Sequence, residues 1–309
     1  MTNPKRHHYL PKMYLNGFCR DNKLWVYDRV KKEHRQQAPI NTGLIQYYYS
    51  QQKEDGSFDT SMESILSWLE SKVAPIITKI DNTSQTSDEE NGFLSVFIAF
   101  LITRIPGFEK LLDAMLENTA KMMMAVRTSS EELVQRSIKS YKEDTGNDIT
   151  RQDMMDIVEG KYKITAHRNY RIRSMIEVSQ PLAEILIGKA WHFMHASKRK
   201  SFVTSDNPVT LIPPPDYNPS GFYGIGFGTP GVVIATPLSQ KTCLIMTDGD
   251  SIIRFGQAQD DYVRRINLII ANSCERFLMA RDRELLESLV TRTRIYCKSP
   301  VPKFKITNL

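Results

Sequence analysis

The chain has 309 residues, 41% apolar and 25% charged, with a net charge of +6 and a pI near 9.0. That composition supplies a core and excludes a disordered chain. No apolar run approaches the roughly 18 residues a membrane span needs. The best, FLSVFIAFLI (93–102), is closed by Thr103 and Arg104 and reads as a buried helix. The start MTNPKR has no apolar core of a secretory signal, so a cytoplasmic chain with no membrane partner is expected. A mild basic excess permits a polyanionic partner such as nucleic acid without requiring one. Cys19, Cys243, Cys274 and Cys297 show no CxxC spacing and are expected to be reduced, mostly buried thiols rather than a zinc knuckle.

In chain order, LWVYDR (24–29) alternates as a strand, and QYYYS (46–50) offers another. From Asp59 the period becomes helical: Met62, Ile65, Leu66, Leu69, Val73, Ile76, Ile77 and Ile80 share a face, with a kink expected at Pro75. Ser87 precedes Glu90 by three, the spacing of a capping box that starts a second helix, which runs to about Arg104. A third helix after Pro106 is expected to turn Leu111, Leu112, Met115, Leu116, Ala120 and Met123 inward, with Met122–Met124 as core filler. Residues 129–165 read as an excursion of short, one-side-exposed helices. A long helix is expected from Arg171 through AWHFMHAS, bent at Pro181.

After Lys200 the runs SFVTSDNPVTLIP, GVVIATPL and TCLIMTDG read as strands, followed by a helix over about 257–272 and a strand at RFLMAR. The expected fold is α+β: a predominantly helical bundle with a C-terminal antiparallel or mixed sheet able to take N-terminal strands. One family-length unit over 1–309 is expected, with a β element at 1–58, a helical region at 59–197 and a sheet plus helix at 198–309.

HHYLPKMYLNGF (7–18), LWVYDR, Glu63, TRIP (103–106), FVTSDNPV (202–209), TPLS (236–239) and RRINLIIANSCERFLMAR (264–281) stand in an order that resembles the bacterial family catalogued as domain of unknown function 4238. The resemblance covers nearly the whole chain. Its sharpest pieces are His8, Tyr9, Pro11, Tyr14, Leu15 and Phe18, and the Thr-Ser-Asp-Asn-Pro turn at 204–208. It implies a single unit and marks positions without supplying chemistry.

Candidate catalytic residues are His8, Arg104, Asp206 and Asn207. An imidazole moves protons near pH 7 or ligates a metal. Asp206 at a strand end can be a base or a ligand, while an Asx turn is the bland reading, and Asn207 before Pro208 forces turn or extended backbone. Arg104 leaves an apolar helix and needs an anionic partner such as Glu63, Asp206 or a phosphate. His7, Arg29 and Asn267 are the substrate-binding candidates. Asp28 and Arg29 also read as a turn, and Asn267 as a buried amide bonding the sheet. His192 and His195, three apart on the expected helix, have a spacing that can hold a metal, with no third ligand nearby. KRK (198–200) reads as a solvated helix end, and GFYGIGFGTPG (221–231) as a flexible loop rather than a phosphate cradle.

Two functions are expected in competition. One is a nuclease of toxin or phage-defence type, hydrolysing a phosphodiester with His8 as acid or base, Asp206 as base or metal ligand and Arg104 stabilising charge; a divalent metal is compatible with it. The other is a non-catalytic ligand-binding or regulatory module in which the same residues form an anion pocket or a structural network.

Overall fold

The computed structural model describes residues 6–296 except 54, 56, 60 and 219–223. Its elements run β1 (Arg6–His8), α1 (Lys12–Asn16), β2 (Leu24–Asp28), β3 (Glu33–Gln37), β4 (Leu44–Gln46), β5 (Gln51–Gln52), β6 (Phe58–Asp59), α2 (Ser61–Thr83) and α3 (Asp88–Thr103). There follow α4 (Pro106–Arg127), α5 (Glu131–Thr145), α6 (Arg151–Val158) and α7 (Arg168–Ile187). The remainder is β7 (Ala190–His195), β8 (Thr204–Ser205), β9 (Thr210–Ile212), β10 (Val233–Pro237), β11 (Thr242–Thr247), β12 (Ile253–Gln257), α8 (Asp260–Ser273), β13 (Phe277–Ala280) and α9 (Arg283–Tyr296). The fold is α+β. No single helix among the described residues is long and apolar enough to cross a membrane.

The chain divides into two compact units, 1–105 with 172–309, and Pro106–Arg171. In the first, α2 buries Met62, Leu66, Leu69, Val73, Ile76, Ile77 and Ile80, and continues through Pro75. Ile65, expected on that face, is exposed. Ser87 and Glu90 form the expected capping box, each side chain accepting from the other's backbone N–H, so α3 starts where two of its first donors are satisfied.

A five-stranded sheet runs β12-β7-β11-β10-β9, antiparallel except for the parallel β12–β7 pair. A four-stranded sheet runs β3-β2-β13-β8, so N-terminal strands do join C-terminal ones. Phe277 pairs with Asp28 across β13 and β2, and Leu278 pairs with Ser205 across β13 and β8. Phe202, Val203, Ile245, Val263, Ile266, Ile270, Leu278, Leu286 and Leu289 belong to one buried apolar cluster. It draws on both sheets, α8 and α9, a helix the sequence reading did not contain.

Several expected elements are corrected. The helix from Arg171 ends at Ile187, and AWHFMH is strand β7. Gly188 breaks the helix, and Ala190–Met194 are buried without interruption, as a central strand requires. His192 and His195, an odd number apart on a strand, face opposite ways, which removes their metal spacing. Tyr47, Tyr48 and Tyr49 form a turn after β4 with Tyr47 at φ 52°, rather than a strand. The helix expected from Gln257 starts at Asp260, because β12 occupies Ile253–Gln257.

In the unit Pro106–Arg171, Leu112, Val134 and Met154 are buried, and Arg171 bridges Glu109 and Asp113 at 3.0 and 2.9 Å. Leu111, Met115, Met122 and Met123, expected to be core, are exposed. Its short, charged helices α5 and α6 offer little apolar surface to cover them. The Gly-rich loop reading at 221–231 falls partly outside the described residues, as does Cys297.

Candidate functional site

The motif HHYLPKMYL enters the fold through Tyr14. Its hydroxyl donates to the Pro237 carbonyl at 2.8 Å, which uses its one proton, so Thr204 donates to it at 2.7 Å. Gly17 follows on the same turn. A Cβ there would lie 3.2 Å from Ser239 Cβ and 3.3 Å from the Leu238 carbonyl, tighter than ordinary van der Waals contact, so any larger residue would press on this turn. One aromatic side chain thus ties the N-terminal segment to both the Thr-Ser-Asp-Asn-Pro and Thr-Pro-Leu-Ser strings.

Asp206 is buried at the end of β8. Its Oδ1 accepts from Glu275 N–H at 3.0 Å, and its Oδ2 from Arg276 N–H at 2.8 Å and Phe277 N–H at 3.0 Å. Burial lifts its carboxyl above the ordinary range, against the pull of these three donors. Asn207 donates from Nδ2 to the Ser273 carbonyl at 3.3 Å, and Ser205 Oγ to the Asn207 carbonyl at 2.8 Å. Asn267 accepts from Val203 N–H and donates to the Ser201 carbonyl, holding the approach to β8 against α8.

Beside it, Asp28 ends β2 with its side chain fully enclosed. Burial alone would raise its carboxyl, but the guanidinium of Arg276 (Nη2 at 2.9 Å) and the N–H groups of Val30 and Lys31 lower it to about 2. Arg29 donates to the Cys274 carbonyl. Tyr9 is buried next to these charges. Burial first, and then the Asp206 carboxylate, push its phenol upward, against Arg276, so it stays neutral.

A second polar cluster gathers around Arg104 at the end of α3. Its side chain is 1% exposed. Nη1 donates to Glu70 Oε1 at 2.9 Å, while Nε and Nη2 take no partner among the described residues. Tyr49 donates its hydroxyl to the Arg104 carbonyl at 3.2 Å and its backbone N–H to His7 Nδ1 at 3.0 Å. That second bond assigns the proton of a neutral His7 ring to Nε2. Glu63 Oε2 lies 3.8 Å from the same Nδ1. Burial, and then the charge of Glu70, raise the Glu63 carboxyl, while Arg104 lowers it. The cluster therefore holds a buried guanidinium edge and a carboxyl biased toward its protonated form.

The structure sorts the candidates between these places. His7 and Arg104 join Glu63, Glu70 and Tyr49; Asp206, Asn207 and Arg29 join Asp28, Arg276 and Tyr9. His8 is half-buried on β1 opposite Leu44, and its carbonyl, 3.4 Å from the Tyr49 hydroxyl, shares that group's one proton with the nearer Arg104 carbonyl. Among the described residues, no three His, Cys, Asp or Glu side chains are grouped as metal ligands. Glu70, Tyr49 and Arg276 escaped the sequence reading. Glu70 was findable, seven residues after Glu63 and so on the same helix face.

An α+β chain whose N-terminal and C-terminal motifs share one sheet is what this fold defines. The family model described as "Protein of unknown function (DUF4238)" matches residues 6–284, and the chain belongs to that family. No curated protein and no solved structure matches the chain.

Proposed function

We propose that this chain is a cytoplasmic bacterial hydrolase of phosphodiester bonds, a nuclease of toxin or phage-defence type, with its site at Arg104. The observation that carries this reading is the Nε–Nη2 edge of the buried Arg104 guanidinium, which takes no hydrogen-bond partner among the described residues, with Glu63 in the same cluster. A planar fork of that kind matches two phosphoryl oxygens, and a desolvated cation counts for more as charge develops there. Glu63, with its raised carboxyl, can protonate the leaving oxygen. Glu70, fixed on Nη1, orients the guanidinium. A net charge of +6 suits a nucleic-acid partner. In this reading His8 and Asp206 lie outside the reacting centre, and Asp206 holds the sheet end together.

The test is incubation of the purified, folded chain with labelled RNA and DNA, with Mg²⁺, with Mn²⁺ and without metal. Cleavage is expected, and Arg104→Lys, a point charge without the fork, is expected to lower it by about 10²-fold or more. Intact substrates under all three conditions would end this reading.

The second reading is a binding or regulatory module, and the saturation of Asp206 by three backbone donors favours it. Inorganic phosphate would then raise the melting temperature of the wild type but not of Arg104→Lys, with no cleavage to find.

A further inference from the structure

Away from Arg104, the side chains of Ser84, His195, Thr242 and Asp81 form an unbroken hydrogen-bonded line, with Ser239 joined to its Asp81 end. Asp81 Oδ1 accepts from Ser239 Oγ at 2.9 Å and from Thr242 Oγ at 2.6 Å. Thr242 spends its only hydroxyl proton on Asp81, so at the 2.9 Å contact with His195 Nδ1 it is the acceptor, and Nδ1 carries the ring proton. His195 Nε2 therefore presents a lone pair, and the Ser84 hydroxyl, 3.0 Å away, donates to it. The tautomer follows from hydrogen-bond counting, and it is the one a general base needs.

The placement suits access. Ser84 is an exposed residue just after α2, in the left-handed region at φ 52°. Its own N–H donates to the Ile80 carbonyl at 3.3 Å, closing the helix. The backbone N–H groups of Gln85 and Thr86, which follow it directly, take no partner among the described residues. His195, at the end of β7, is partly buried and stacks on Phe255 with centroids 6.3 Å apart. Burial lowers its imidazole pKa, with Asp81 pulling it back up, which favours the neutral ring.

We propose that Ser84 and His195 form a second, nucleophilic site that takes an acyl group from an uncharged carboxylic ester, with Thr242 and Asp81 as positioning residues. The flank of His195 is the Phe255 ring, an apolar surface that suits an uncharged ester. Ser84 Oγ attacks the carbonyl carbon while its proton passes to His195 Nε2. The carbon–alkoxy bond breaks and the leaving oxygen takes that proton, leaving acyl-Ser84 and a free alcohol. Water, giving a proton to Nε2, then attacks the acyl carbon, and the proton returns to Ser84 Oγ as the carboxylic acid leaves. The N–H groups of Gln85 and Thr86 are the nearest backbone donors in sequence for the developing oxyanion. This site is independent of the phosphodiester reading.

The full chain is treated with a fluorophosphonate, with mass spectrometry of the adduct, and separately with p-nitrophenyl acetate. A single adduct on Ser84 and release of p-nitrophenol are expected, both lost in Ser84→Ala, a surface change that leaves folding intact. His195→Ala is expected to slow labelling by about 10²-fold or more. Thr242→Ser should keep the rate and Thr242→Val should lose it, a pattern that simple packing would not give. No adduct on Ser84 of the folded wild type, no ester hydrolysis above that of Ser84→Ala, or equal labelling in His195→Ala overturns the proposal.

Discussion

The Tyr14 hydroxyl and the Thr204 hydroxyl meet at 2.7 Å in the interior, 190 residues apart in the chain. With the Pro237 carbonyl as its acceptor, Tyr14 closes a network that no solvent reaches. Tyr14→Phe removes one oxygen and strands two buried polar groups, so a loss of about 2 kcal/mol is expected. Urea unfolding measures it, and a midpoint equal to wild type would show that the network carries no stability.

Asp206 holds three backbone N–H groups on two oxygens. Asp206→Asn turns one acceptor into a donor facing donors, and about 2–3 kcal/mol of stability should go with it. A variant that melts with the wild type but loses an activity would instead make Asp206 a reacting group.

Asp28 gives a pH signature. Its folded carboxyl is lowered to about 2, below the unfolded value of about 3.9. Its contribution is therefore complete above the unfolded value and lost as pH falls from about 4 toward 2. In Asp28→Asn, the part of the acid-unfolding curve between those values should flatten. Curves of identical slope would place the titration elsewhere.

Glu63 has the opposite sign. With its folded carboxyl raised by burial and by Glu70, it favours folding below its unfolded pKa and loses that contribution as pH rises through the folded value. Glu63→Gln should melt above the wild type at pH 7, with the gap closing in acid, and should lose any activity that needs its proton. A variant less stable at pH 7 would mean that the ionised form is the one the fold prefers.

Much of the fold was legible because its local signals agree with its packing: LWVYDR is a strand, though it is buried almost throughout rather than on alternate residues, the Ser87–Glu90 box starts α3, and the apolar stripe of α2 is buried except at Ile65. The misread stretch was AWHFMHAS. A run buried on both faces has no period, so a strand cannot be told there from the end of the preceding helix. The exposed methionines of α4 failed differently, since periodicity marks a face without saying that anything covers it. Of the site candidates, His7 and His8 were adjacent in sequence, and only the strand geometry of β1 decides that His7 meets Tyr49 and Glu63. His195 drew notice for its spacing to His192. What matters about it is Thr242 and Ser84, partners from distant segments that no spacing rule reaches.

The four-stranded sheet carries a consequence for how the chain is made. β13, at Phe277–Ala280, lies between β2 and β8, so the hairpin of β2 and β3, which ends at Gln37, has no inner neighbour until about 240 further residues have been synthesised. Until then its open edge must be kept from pairing with other chains. Folding of this sheet therefore waits for β13 and is limited by closing a very long loop. A ribosome stalled shortly before Phe277 would carry a hairpin ready for aggregation or for a chaperone.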